Sequence, residues 1–175
     1  MAEFERNNIW APWRMDYIAG IDDSRGECFL CDYRGQPKRD AEHHVLHRTA
    51  SIILLLNRFP YSNGHVLIAP LDHIAQPEDL PESIMFEIAR AMCDAKRVLT
   101  AAVNAQGFNI GMNLGRCAGA GLPDHQHWHI VPRWSGDTNF MPVLGGVRVV
   151  PDCLDRVREK FIAAAARLGV FQPVA

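Results

Sequence analysis

"DHQHWHIVPRW", residues 124–134, sets His125, His127 and His129 at every second position in a chain that holds eight histidines. Side chains of an extended strand alternate between faces, so the three imidazoles share one side while Gln126, Trp128 and Ile130 share the other. Two residues of strand rise would put neighbouring rings about 7 Å apart, a row along which phosphate groups fit. Trp128 and Ile130 mark the opposite side as core, and Pro132 is expected to close the strand. The small-residue loop "RCAGAGLPD" (116–124) comes directly before it, with backbone N–H groups able to cradle an anion. Three histidines in register behind such a loop point to a chemical site rather than a solvated sheet face.

The residues alone leave the chemistry open. Imidazoles bind metals, carry protons and attack phosphorus. Three of them converging on one ion with an open position would make a hydrolytic zinc centre. Alternatively, a neutral imidazole attacks a nucleotide's phosphorus while its neighbours and backbone N–H groups stabilise the developing charge. A nucleotide-binding module without turnover is the reading from a third class.

Upstream, "SIILLLN" (51–57) is a short continuous apolar run that predicts a buried strand. "RFPYSNG" supplies turn residues, and "HVLIAP" (65–70) predicts a second strand, so the two form a hairpin. From Pro81 to about Gln106, apolar residues at Ile84, Ile88, Ala91, Ala95, Val98 and Ala102 recur at helical spacing, with Gly107 as the stop. "FNIGMNLG" (108–115) alternates like a strand. A second helix is expected from an N-cap at Asp152 through Leu154, Val157, Phe161 and Leu168 to Gly169. Hairpins with two helices and no alternating strand–helix units predict an α+β fold: an antiparallel sheet of about five strands, one long central helix and a C-terminal helix.

The 175 residues, 48% apolar and with a formal charge of −2, suit a single domain spanning 1–175, with 1–40 as an irregular N-terminal segment. Scattered basic residues give no footprint for a nucleic acid partner. No apolar run reaches membrane-spanning length, and the acidic start "MAEFE" lacks the pattern of a secretory signal, so neither a membrane partner nor export is expected and the cytoplasm is the expected location. Five cysteines, an odd number with only Cys28 and Cys31 closely spaced, do not make a disulfide framework. The pair is half of a tetrahedral metal site, and no thioredoxin-like pattern surrounds it. His43, His44 and His47 lie in a polar stretch and read as solvated surface residues that could also serve as ligands. Trp134 has three readings: base stacking, interface or packing.

"HQHWHIV" resembles the His-φ-His-φ-His-φ-φ signature of the histidine triad family of nucleotide hydrolases and transferases, with polar Gln126 departing at the first φ position. "NRFPYSNGHVLIAPLDH" is similar to that family's hairpin and "GFNIGMNLG" to its strand before the glycine loop. "WAPWRMDYI" and "VPRWSGDTNFMPVLGGVRVVP" resemble the branch containing diadenosine tetraphosphate phosphorylases. The resemblance covers about residues 10–151.

It implies that His127 is the nucleophile carrying a covalent nucleotidyl group, that His129 contacts the phosphate oxygens, and that His65 joins them from the hairpin. Asn57 and Asn113 match asparagines near ribose and phosphate. Gly121 and Leu122 of the loop are expected beside the substrate, and apolar residues between Leu54 and Asn57 beside the base. It further implies a closed structural zinc site of Cys28, Cys31, His73 and His125 tying down the N-terminal segment, with no catalytic metal. The expected partners are a small nucleotide, most simply an adenine nucleotide, and a second copy in a homodimer. Phosphorylases of this branch carry Gly-Ser where this chain has Ala120-Gly121; the missing hydroxyl makes water as fitting an acceptor as phosphate.

Overall fold

The computed structural model describes residues 28–137 and 152–171. The elements are α1 (Phe29–Gly35), β1 (Val45–Arg48), β2 (Ile52–Leu56), β3 (Val66–Pro70), α2 (Glu82–Val103), β4 (Gly107–Met112), β5 (Trp128–Arg133) and α3 (Leu154–Leu168). The five strands form one antiparallel sheet in the order β1-β2-β3-β5-β4. This is the expected α+β arrangement. None of the described helices is long and apolar enough to cross a membrane.

The unbroken apolar run of β2 follows from burial on both faces. Ile52, Leu54 and Leu56 join Val66, Ile68, Trp128 and Ile130 beneath α2 and α3, which contribute Ile88, Ala95, Leu99 and Phe161. The opposite face gathers Ile53, Leu55, Leu67 and Ala69 with Val45, Leu71 and Leu30 of α1. Trp128 and Ile130 thus take the helix side, as expected. The odd-numbered histidines are left on the α1 side.

The hairpin pairs Ile52 with Pro70 through Leu56 with Val66, in one register without a bulge. Several boundaries differ from the sequence reading. Val45–Arg48, in a stretch read only as polar and assigned to no element, is an edge strand, and α1 lies within the segment expected to be irregular. The ladder of β5 begins at Trp128, so only His129 of the three histidines is in a strand. Pro132 does not end that strand. β3 pairs only as far as Ile130, and Pro132 faces β4 alone, which leaves room for a residue without an N–H.

The long helix stops earlier than Gly107, at Asn104, whose φ of 53° is the left-handed turn that asparagine tolerates. At α3 the N-cap is Cys153, one residue after the expected Asp152; Asp152 instead accepts the Cys153 N–H and pairs with Lys160. Gly169 closes α3 at φ 65°, as expected.

Candidate active site and metal site

The antiparallel register lines up Leu55, Leu67, His129 and Gly111 in one row across the sheet. Paired residues share a face, so His129 continues the floor begun by two leucines. Beside them is a cleft of about 580 Å³ lined by Phe29 and Tyr33 of α1, Leu55, Leu67, Asn57 and Phe59, with Asp32, Glu42 and His43 at its polar side. Leu55, Leu56 and Asn57 line it as expected, whereas Leu54 turns into the helix-side core. Such a volume with aromatic walls suits a nucleoside-sized ligand.

His65, His127 and His129 gather next to residues that line this cleft: His129 pairs with Leu67 across the sheet, and His65 lies against Asn57. The rings of His127 and His129 are 5.0 Å apart, and those of His65 and His129 5.1 Å. The His127–His129 distance is shorter than two residues of strand rise would give, and those two rings are inclined by 58°. His127 Nδ1 is 2.9 Å from the carbonyl oxygen of His125. A carbonyl only accepts, so Nδ1 carries the proton and Nε2 keeps its lone pair. His65 Nε2 is 2.9 Å from His129 Nδ1, and the Asn57 amide and Tyr61 N–H both reach His65 Nδ1. Burial, and then the neighbouring His127, lower His129 from 6.5 to about 4, so that ring is neutral at physiological pH.

His125 belongs to a different cluster. Its Nδ1 is 3.1 Å from Cys28 Sγ and 3.7 Å from Cys31 Sγ, while His73 Nδ1 is 3.2 Å from Cys31 Sγ. The four ligand atoms lie within 4.8 Å of one another. Ligands bound tetrahedrally at 2.0–2.3 Å sit about 3.5 Å apart, so the donor set fits a zinc ion. Local folding explains the convergence. Cys28 and Cys31 fall one turn apart at the start of α1, and Gln126 N–H donates to Ile74 O at 2.8 Å, drawing His73 against His125.

His125 Nε2 donates to Pro70 O at 2.9 Å, which leaves Nδ1 unprotonated toward the sulfurs. Burial lowers the His125 pKa, keeping it in its ligand form. Burial, then Cys28, raises the Cys31 thiol to about 11, so that thiol ionises readily only with a cation beside it. Cys93, Cys117 and Cys153 are single exposed thiols.

The other expected residues are more dispersed. Asn113 Nδ2 is 3.4 Å from Gly119 O and ties the glycine loop to itself. Gly121 is exposed, and Leu122 packs on the Leu30–Leu67 side of the core. Gln126 takes its polar place by donating to Gln76 O. His43, His44 and His47 are half-buried, not solvated: His43 stacks on Tyr33, His44 faces Asp155, and His47 lies against Phe171. None of the three joins the metal cluster. Trp134 packs, donating from Nε1 to the carbonyls of Val103 and Asn104 at the end of α2. Tyr61, not singled out by its sequence, stacks beside His129 at 5.7 Å and 12°. Its hydrogen bond to His65 comes from the backbone N–H, which no side-chain pattern signals.

Fold and histidine cluster together define a class, and the chain belongs to the HIT domain family, matched over residues 38–136. It is similar to the AP-4-A phosphorylase of Mycobacterium tuberculosis, 34% identical over 164 residues that cover 91% of this chain and 84% of that protein. It is also similar to the asymmetrical bis(5'-nucleosyl)-tetraphosphatase of Schizosaccharomyces pombe, 31% identical over 93 residues, covering 53% of this chain and 50% of that one. Among solved structures, a Zn-bound histidine triad family protein from Mycobacterium smegmatis superposes with TM-score 0.67 at 26% identity, over 82% of this chain and 96% of that one. The segments that most resemble the phosphorylase branch, 10–18 and most of 131–151, lie largely outside the described residues.

Proposed function

We propose that this protein cleaves dinucleoside polyphosphates, or related phosphate-linked adenine nucleotides, through a covalent nucleotidyl intermediate on His127. The observation that carries this reading is the His127 tautomer. With Nδ1–H held by the His125 carbonyl, Nε2 keeps a lone pair for attack, and the neighbouring His129 pairs with Leu67 of a nucleoside-sized cleft. In the first step Nε2 attacks the α-phosphorus; the N–P bond forms and the bond from phosphorus to the leaving-group oxygen breaks. The leaving nucleotide departs as its phosphate anion. In the second step an acceptor oxygen attacks the same phosphorus, its proton passes to solvent, and the electron pair returns to Nε2.

His129 and the loop N–H groups stabilise the negative charge that develops on the phosphoryl oxygens. Phe29, Tyr33, Leu55 and Leu67 hold the base and exclude water from it. Asn113 and Gly121 border the phosphates from the loop. The names of the two curated relatives support a dinucleoside substrate. Water is one acceptor and inorganic phosphate the other.

Zinc held by Cys28, Cys31, His73 and His125 would neutralise the two thiolates and pin α1 to the sheet, a structural role. The site's four-ligand closure leaves the chemistry to imidazoles. We read the chain as one domain working in the cytoplasm as a homodimer joined at a sheet edge.

The deciding experiment incubates diadenosine tetraphosphate with the protein, with and without phosphate. ATP plus AMP in both cases identifies water as the acceptor; ATP plus ADP, formed only with phosphate, identifies phosphorolysis. A protein that binds the nucleotide yet forms no acid-labile adenylyl–His127 adduct contradicts the mechanism.

A further inference from the structure

Contacts in the turn between β2 and β3 fix where protons sit on two histidines, His65 and His129. Tyr61 N–H donates to His65 Nδ1 at 3.1 Å, and a backbone N–H cannot accept. His65 Nδ1 is therefore unprotonated in the neutral ring, and the proton is on Nε2. Asn57 reinforces this: its Oδ1 accepts the Phe59 N–H at 2.9 Å, which turns Nδ2 toward the same His65 nitrogen at 3.2 Å. His65 Nε2–H faces His129 Nδ1 at 2.9 Å, so His129 accepts there and carries its own proton on Nε2. That nitrogen is buried and finds no hydrogen-bond partner among the described residues. A buried donor without a partner calls for an acceptor, and a phosphoryl oxygen is one.

We propose that Asn57 and Tyr61 are positioning residues which, acting through His65, lock His129 in the Nε2–H tautomer, so that it donates to the substrate's phosphate instead of repelling it. Neither residue need touch the reacting phosphorus. Tyr61 adds its ring, which lies 4.7 Å from His65 and 5.7 Å from His129 and covers the pair on one side. The proposal rests on the nucleotidyl-transfer reading for its purpose, but the proton positions can be measured on the protein alone. It also assigns Asn57 a role in the protein rather than at the ribose.

The test is the imidazole nitrogen shifts of the full chain at neutral pH, resolved by long-range proton–nitrogen correlation. In the unaltered protein, His65 and His129 should both read as Nε2–H and His127 as Nδ1–H; a His129 proton on Nδ1 overturns the proposal. Asn57→Leu, close in shape and unable to donate, should move His65 and His129 together toward the other tautomer. It should also lower kcat by at least about tenfold, as expected for a misaligned oxyanion donor, with KM little changed. A rise in KM with both rings at their original shifts would mean that Asn57 serves the ribose, and would sink the proposal. Tyr61→Ala keeps the backbone N–H and should leave both tautomers unchanged; a flip there would mean that the ring, not the amide, does the setting. Because the shifts need no substrate, a chain that fails to turn over still decides the question.

Discussion

His125 and His127 are two residues apart, and their surroundings direct them to opposite tasks. His125 is fully buried, with Nε2–H on the Pro70 carbonyl and Nδ1 turned to two sulfurs. His127 gives its Nδ1–H to the carbonyl of His125 and keeps the lone pair of Nε2. One ring exposes Nδ1 and the other Nε2, because each is fixed by the carbonyl that its second nitrogen meets. On the proposed reading, what separates ligand from nucleophile is not the residue type but the placement of two backbone oxygens. The two sites also share an atom group, since the carbonyl orienting His127 belongs to a residue of the Cys28–Cys31–His73–His125 cluster.

Removing the nucleophile should have the largest effect. His127→Asn is expected to lower turnover by at least about a thousandfold while nucleotide binding and melting temperature stay near those of the parent. A variant that keeps turnover within tenfold would move the nucleophile elsewhere. Cys31→Ser tests the other side. Loss of one ligand should cost at least about 2 kcal/mol, or roughly 4–8 °C in melting temperature for a chain of this length. It should also slow adenylylation of His127 through the slackened His125 carbonyl. An unchanged melting curve and zinc content would remove the cluster from the account.

The third effect is a slope with pH. His129 sits at about 4 in the folded chain against 6.5 when free. Below pH 6.5 the unfolded chain takes up a proton that the folded one refuses until the pH nears 4. Stability from this ring is therefore full above 6.5 and drains away as pH falls toward 4. Urea midpoints of the parent should drop more steeply over that window than those of His129→Gln; parallel slopes would place the ring in solvent. The smallest effect is on the acceptor. A Cβ at Gly121 would meet nothing within 4 Å, so Gly121→Ser should melt within about 2 °C of the parent. The added hydroxyl should raise the share of product made by phosphate roughly fivefold, about one hydrogen bond's worth. No change in that ratio would separate the loop hydroxyl from acceptor choice.

Much of this was legible in the chain. The alternation that sends Trp128 and Ile130 to one face and His127 and His129 to the other survives even though the ladder starts only at Trp128, because alternation needs extended backbone rather than a paired neighbour. The helix spacing from Ile84 onward was readable, but its end was not: Asn104 and Gly107 are both competent stops, and only the chain's return into β4 selects the former. Val45–Arg48 escaped notice because its strand character comes from pairing with β2, not from its own polar neighbours.

The sequence by itself determined an antiparallel α+β fold and a row of histidines aimed to one side, since periodicity of two or of about 3.6 is a property of the local chain. Through the resemblance its motifs carry, it also pointed to the two sulfurs and two imidazoles that the fold gathers into one cluster. Tertiary structure alone decided which nitrogen each ring presents, because the carbonyls of Pro70 and His125 and the N–H of Tyr61 are backbone groups with no identity in the sequence. They acquire a role only when folding sets them within hydrogen-bond distance of a particular ring.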